Sequence, residues 1–247
     1  MKQIKLLFLL ASASVTGAFA QSNGLTDMSQ SRYAKMANTG IDAVHWTNGF
    51  WGERFNVFSG TSLQSMWNTW NTPEVSHGFR NFEIAAGICK GEHWGPPFHD
   101  GDMYKWMEGV ASVYAVNKDP ELDKLMDNFI ACVVKAQRAD GYIHTPVIIE
   151  ELNKGIDSHT QADSQQQTVI GTKVGSEDEK GAFANRLNFE TYNLGHLMMA
   201  GIVHHRATGK TTLLDAAVKA TDFLCHFYET ASAELARNAI CPSHYMG

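Results

Sequence analysis

The chain has 247 residues, 44% of them hydrophobic and 19% charged, with a formal net charge of −6. That is enough apolar material for one large domain or two small ones with a buried core. It excludes a disordered chain, a collagen-like repeat and a long charged coiled coil. The excess of 26 acids over 20 bases argues against a nucleic-acid binder, which carries a basic face.

Residues 1–20 read as a secretory signal peptide. Lys2 and Lys5 form a positive start, Ile4 and Leu6 to Leu10 a short apolar run, and Ala18-Phe19-Ala20 a small-x-small cleavage site. The expected location is therefore secreted or periplasmic. No other apolar run is long enough to cross a bilayer. Export would place Cys89, Cys132, Cys225 and Cys241 in an oxidising compartment, where three pairings are open. None forms a C-x-x-C pair, and Cys132 and Cys225, inside apolar helical runs, read as buried thiols. Residues 21–42, rich in Ser, Asn, Thr and Gln, read as a linker.

From residue 43 the chain reads as a single domain to residue 247. Ala43 to Phe58, with Trp46, Phe50, Trp51 and Phe55, predicts a strand or edge segment leading into a helix. Asp102 to Val116 places Met103, Trp106, Met107, Val110 and Val113 on one helical face. After a turn at Asn117-Lys118, Asp119 caps a second helix with Pro120 at its first position. That helix carries Leu122, Leu125, Met126, Phe129 and Val133, and Gly141 follows as a stop. Thr145 to Leu187 is long and polar. Within it Val147-Ile148-Ile149 and Thr168-Val169-Ile170 are expected to pair as a β-ribbon over a cleft, with a flexible insert as the alternative. Glu190 to Ala207 predicts a helix with Leu194, Leu197, Met198 and Ile202 in the core. Gly209 ends it, Thr211 or Thr212 caps the next, and Leu214, Ala217, Val218, Thr221 and Leu224 continue the pattern. Two αα-hairpins thus lie roughly 90 residues apart, which predicts a mainly α fold, either a solenoid or an α/α toroid.

His204 to Thr211 has the look of a phosphate loop but lacks the first glycine and follows a helix, so it reads as a helix end, a stop and a cap. In Gly95 to Trp106, two prolines lead to Asp100 and Asp102 at the mouth of a helix. There a carboxylate either caps free N–H groups or accepts hydrogen bonds from sugar hydroxyls. Glu190 and His196, six apart, do not share a helical face but can line one cleft. His196 reads either as a hydrogen-bonded core residue or as a site group. His-Glu-x-x-His is absent, which argues against a zincin. Cys241-Pro242-Ser243-His244-Tyr245 looks like the start of a further hairpin, with His244 at its mouth.

These segments resemble glycoside hydrolase family 127, the β-L-arabinofuranosidase family. The resemblance is carried by Thr47 to Arg54, Phe79-Arg80-Asn81-Phe82 with Ala85-Ala86-Gly87, and Gly95 to Trp106. It continues in Ala136-Gln137 with Asp140-Gly141-Tyr142, Glu190-Thr191-Tyr192 with Gly195-His196-Leu197, and Ala207 to Lys210 with Leu213-Leu214-Asp215. It implies the N-terminal part of an (α/α)6 barrel, here a partial toroid of antiparallel hairpins with a long polar insert, truncated before the barrel closes. It also implies retaining hydrolysis of terminal β-L-arabinofuranosyl residues on plant-type oligosaccharides or polysaccharides. In that scheme a zinc-bound cysteine thiolate attacks the sugar and a glutamate acts as acid/base, unlike the usual carboxylate pair. The zinc ligands and nucleophile are expected beyond residue 247, so Zn2+ belongs to the complete enzyme, none is expected on this chain alone, and the 247 residues by themselves are expected to show no turnover. Asp100, Asp102, Glu190, His196 and His244 are the expected sugar-contact or site-shaping residues. Phe189, where sugar-binding members carry His, and Cys241, where they place a His that His244 could replace, point to altered specificity. The rival reading is a non-catalytic glycan-binding or helical scaffold protein.

Overall fold

The structure is a computed structural model that describes residues 24–155, 183, 189–237, 241 and 243–246. Its described residues are helical and contain no strand. Helix α1 (Gly49–Val57) runs through a π turn (Phe58–Ser62) into α2 (Leu63–Trp70), and α3 (Gly78–Ala85) follows. Then come α4 (His99–Asn117), α5 (Pro120–Ala136), α6 (Thr145–Asn153), α7 (Glu190–Thr208), α8 (Thr212–Thr230) and the short α9 (Ala233–Ala236). A 3-10 turn spans Ser243–Met246.

Local chemistry sets the two long hairpins. Lys118 takes the left-handed conformation (φ 54°) that stops α4. The Asp119 carboxylate then accepts the Glu121 N–H at 2.9 Å, with Pro120 opening α5. Gly209 (φ 77°) ends α7, and Thr211 precedes α8 without a side-chain cap. The Lys118 ammonium donates to the Ala207 carbonyl at 2.9 Å, so the C-terminal ends of α4 and α7 lie together.

Helix α4 is the centre of the fold. It packs on α2 along one flank and on α7 along the other, while α5 and α8 form an outer layer. The core between them is aromatic. Trp106 stacks on Trp67 at 5.0 Å and meets Phe129 edge-on at 6.4 Å. Phe82 meets Phe129 edge-on at 5.0 Å. Helices α4 and α7 are buried on almost every face, and each leaves one narrow open stripe.

Two expectations of β structure are overturned. Residues 43–48 form no strand, and the helix begins at Gly49. Val147, Ile148 and Ile149 lie in α6 and are all buried. A short helix enclosed on every side reads as an unbroken apolar run, which periodicity cannot tell from a strand. Thr168 to Ile170, residues 1–20 (the expected signal peptide) and most of the polar insert lie outside the described residues. Cys132 is buried as expected, but Cys225 is exposed, because it lies on the face of α8 that lines the open groove beside α7. Helix α4 also starts three residues earlier than its apolar period, at His99.

Candidate functional site

The N-terminal ends of α4, α6 and α7 meet at one end of the molecule, tied by buried polar side chains. Asp100, in the first turn of α4, is 1% exposed. Its carboxylate accepts the Thr145 N–H at 2.7 Å and the Thr145 hydroxyl at 2.6 Å, so it caps α6 from another helix. Burial alone would raise this carboxyl, but the His144 ring and the two Thr145 donors overcome it and hold Asp100 below the usual aspartate value. Asn193, in the first turn of α7, accepts the Gly101 N–H at 2.8 Å, which fixes its amide orientation. Its NH2 group donates to the Pro97 carbonyl at 2.9 Å and meets His144 Nδ1 at 3.2 Å. The same Nδ1 lies 3.6 Å from Asp100 Oδ2, so it stands between the amide and the carboxylate, and the ring's other nitrogen, Nε2, is buried without a hydrogen-bond partner.

Glu190 opens α7 and is also buried. Its Oε1 accepts the Tyr142 hydroxyl at 3.0 Å and the Phe183 N–H at 2.7 Å. Burial raises the carboxyl above the usual glutamate value, although His144, the Phe183 N–H and Tyr142 all pull it down. Phe189, just before it, adopts a left-handed backbone (φ 59°), a costly conformation for an aromatic residue. Its ring meets Phe98 at 5.4 Å and Tyr192 at 6.0 Å.

Below this buried cluster run the two open stripes. On α4 the stripe carries Asp102, Lys105 and Glu108, spaced three apart, and on α7 it carries Tyr192 and His196. Lys105 pairs with Asp102 at 2.7 Å and donates to the Tyr192 hydroxyl. His196 Nδ1 faces Glu108 Oε1 at 3.7 Å. The His196 ring stands edge-on to Tyr192 at 4.7 Å. The result is a partly open seam of carboxylate, ammonium, phenol and imidazole between two largely buried helices, a donor and acceptor set suited to a polyhydroxylated ligand.

Of the residues predicted for the site, Asp102 and His196 lie on this seam, and Asp100 and Glu190 lie in the buried cluster above it. His244 is not brought to them. Its backbone packs on α7 at Gly195, and its ring reaches α8, where it stacks with Tyr228 at 5.5 Å and its Nε2 meets the Tyr228 hydroxyl at 3.3 Å. It borders an apolar groove of about 360 Å³ lined by Met198 and Ile202 of α7 and Leu214, Val218 and Leu224 of α8. The sequence reading missed Lys105, Glu108, Tyr142, His144, Thr145, Tyr192 and Asn193. Only Glu108 and Lys105 left a local trace, as polar steps at a spacing of three on from Asp102.

Among the described residues no group of three or more His, Cys, Asp and Glu is placed to hold a metal ion, and Cys89, Cys132, Cys225 and Cys241 are free. The described residues therefore do not fit a zinc–thiolate centre. No described helix is long and apolar enough to cross a membrane.

A sequence profile described as β-L-arabinofuranosidase, GH127 catalytic domain, matches residues 43–247. The chain belongs to glycoside hydrolase family 127. It is 32% identical over 149 residues to a non-reducing end β-L-arabinofuranosidase of Bifidobacterium longum subsp. longum, covering 60% of this chain and 19% of that protein. Among solved structures, a glycoside hydrolase shares 69% identity, with a TM-score of 0.59 over 91% of this chain and 26% of that one. A family 127 β-L-arabinofuranosidase from Geobacillus stearothermophilus shares 30%, with a TM-score of 0.57 over 73% of this chain and 25% of that one. The chain thus spans about a fifth to a quarter of the length of these relatives. The solved family 127 relatives are (α/α)6 barrels, and the helical layers here follow that architecture.

Proposed function

We propose that this chain forms one wall of the sugar cleft of a secreted family 127 glycoside hydrolase that releases terminal β-L-arabinofuranosyl or related sugars from plant-type glycans. The observation that carries the reading is the seam of Asp102, Lys105, Glu108, Tyr192 and His196 on two helices that are otherwise largely buried. Burying α4 and α7 between neighbours is what packing requires. A polar open face is also the ordinary outcome for a helix; what matches sugar hydroxyls is the particular set, with carboxylate, ammonium and phenol clustered beside a facing carboxylate and imidazole. Family membership supplies the reaction class. In this reading Asp102 and His196 meet hydroxyls and Asp100 and Glu190 shape the cleft from behind, while His244 lies apart from it, at the apolar groove between α7 and α8. The retaining step, with its zinc-held thiolate, is assigned to parts of the barrel outside the described residues. The Lys2-to-Ala20 pattern supports export.

The test is titration of the purified chain with methyl β-L-arabinofuranoside, followed by tryptophan fluorescence and calorimetry. Saturable binding that Asp102→Ala and His196→Ala each weaken at least tenfold is expected, without release of arabinose. A folded chain that binds no pentofuranoside overturns the reading. Binding without hydrolysis by a chain as long as the solved relatives would favour the non-catalytic glycan-binding alternative.

A further inference from the structure

The seam holds one pair of groups that packing leaves unfinished. Glu108 Oε1 and His196 Nδ1 face each other at 3.7 Å, beyond hydrogen-bond reach. Both atoms are sealed from solvent and neither has a hydrogen-bond partner. An unpartnered carboxylate oxygen away from water is costly, so an arrangement of this kind persists where a small movement completes it. The other charges on the stripe are already committed. Lys105 is held by Asp102 and Tyr192, so it does not serve Glu108. Tyr192 fixes the His196 ring edge-on. With Nδ1 turned to Glu108, the far nitrogen, Nε2, is the one left to meet a ligand.

We propose that Glu108 is a positioning residue that holds the His196 proton on Nδ1, so that Nε2 accepts a hydrogen bond from a sugar hydroxyl in the seam. The sugar half of this statement rests on the function proposed above, whereas the tautomer does not. Ligand binding pulls the ring into place and shortens the Glu108–His196 gap to a hydrogen bond. The carboxylate thereby sets the tautomer and orientation of an imidazole that touches the ligand, as carboxylates do behind many functional histidines.

The tautomer is read directly by long-range 1H–15N NMR of the wild-type chain at neutral pH, with the His196 signal assigned by its loss in His196→Gln. The expected spectrum shows Nδ1–H. In Glu108→Gln, checked for unchanged helicity and melting, the ring shifts toward Nε2–H and methyl β-L-arabinofuranoside binds about tenfold more weakly. His196→Gln, whose side-chain amide stands where Nε2 was, keeps more binding than His196→Asn, whose amide stands at Nδ1. A wild-type Nε2–H tautomer, or a tautomer unmoved by Glu108→Gln, overturns the proposal and leaves the sugar reading standing. An Nδ1–H tautomer that Glu108→Gln shifts, in a chain that binds no pentofuranoside, supports the positioning role and overturns the sugar reading instead.

Discussion

His204 is fully buried in α7, and neither ring nitrogen has a hydrogen-bond partner. Burial, helped by the nearby Lys210 ammonium, lowers its pKa from 6.5 to about 4, although Asp127 and Asp123 act in the opposite direction. Lys210 is itself bridged to both acids, at 2.7 and 2.8 Å, so the ring faces a largely neutralised cluster. The unfolded chain binds a proton at this histidine below pH 6.5, and the folded chain does not until about pH 4. The stabilisation is therefore complete above pH 6.5 and is lost as the pH falls between those values. The loss amounts to about 3 kcal/mol. Denaturant unfolding of the wild type at pH 7 and pH 4.5 is expected to show most of that loss, and His204→Leu is expected to lose markedly less. An identical acid dependence in both proteins would show that this ring is not buried and uncharged.

Helix α6 depends on a partner far from it in the chain. Asp100 is 45 residues away from Thr145, yet its carboxylate satisfies both the N–H and the hydroxyl there. Asp100→Ala leaves those donors buried and unpaired, and the expected cost is about 2–4 kcal/mol. Hydrogen exchange should localise the loss to α6, while α5 keeps its protection because its cap, Asp119, is local. The same contrast explains what could be read from the residues alone. The α4–α5 and α7–α8 hairpins were legible because Asp119-Pro120 and Gly209 act within a few residues of the helices they bound. Helix α6 was not, since its enclosed Val147-Ile148-Ile149 run lacks period and its cap is nonlocal. In the site, Asp102 could be singled out as an acid at a helix start and His196 as a polar group beside an apolar helical run. His144 and Asn193 could not, because they acquire meaning only when two helix ends meet across 49 residues. Glu108 was not singled out, since a polar step three residues on from Lys105 is what any solvated helix face carries.

Seen as a whole, the molecule has apolar surface on two flanks. One flank carries Phe50 and Trp51 of α1, which are 61% and 65% exposed. The other is the groove between α7 and α8, with Val218 at its rim, 51% exposed. Contiguous surface of this kind is uncommon on isolated soluble domains and promotes association. Sedimentation velocity is expected to show concentration-dependent association of the chain, accompanied by binding of the dye ANS. Val218→Lys should reduce both without changing the far-UV circular dichroism. A strictly monomeric wild type that binds no dye would mean that these flanks are covered.

The meeting of the α4, α6 and α7 starts has a consequence for the acids kept there. Each helix beginning carries roughly half a positive elementary charge, and three such poles share one end. Asp100 and Glu190 are both held away from water at that end, so the backbone itself offsets part of what their dehydration costs.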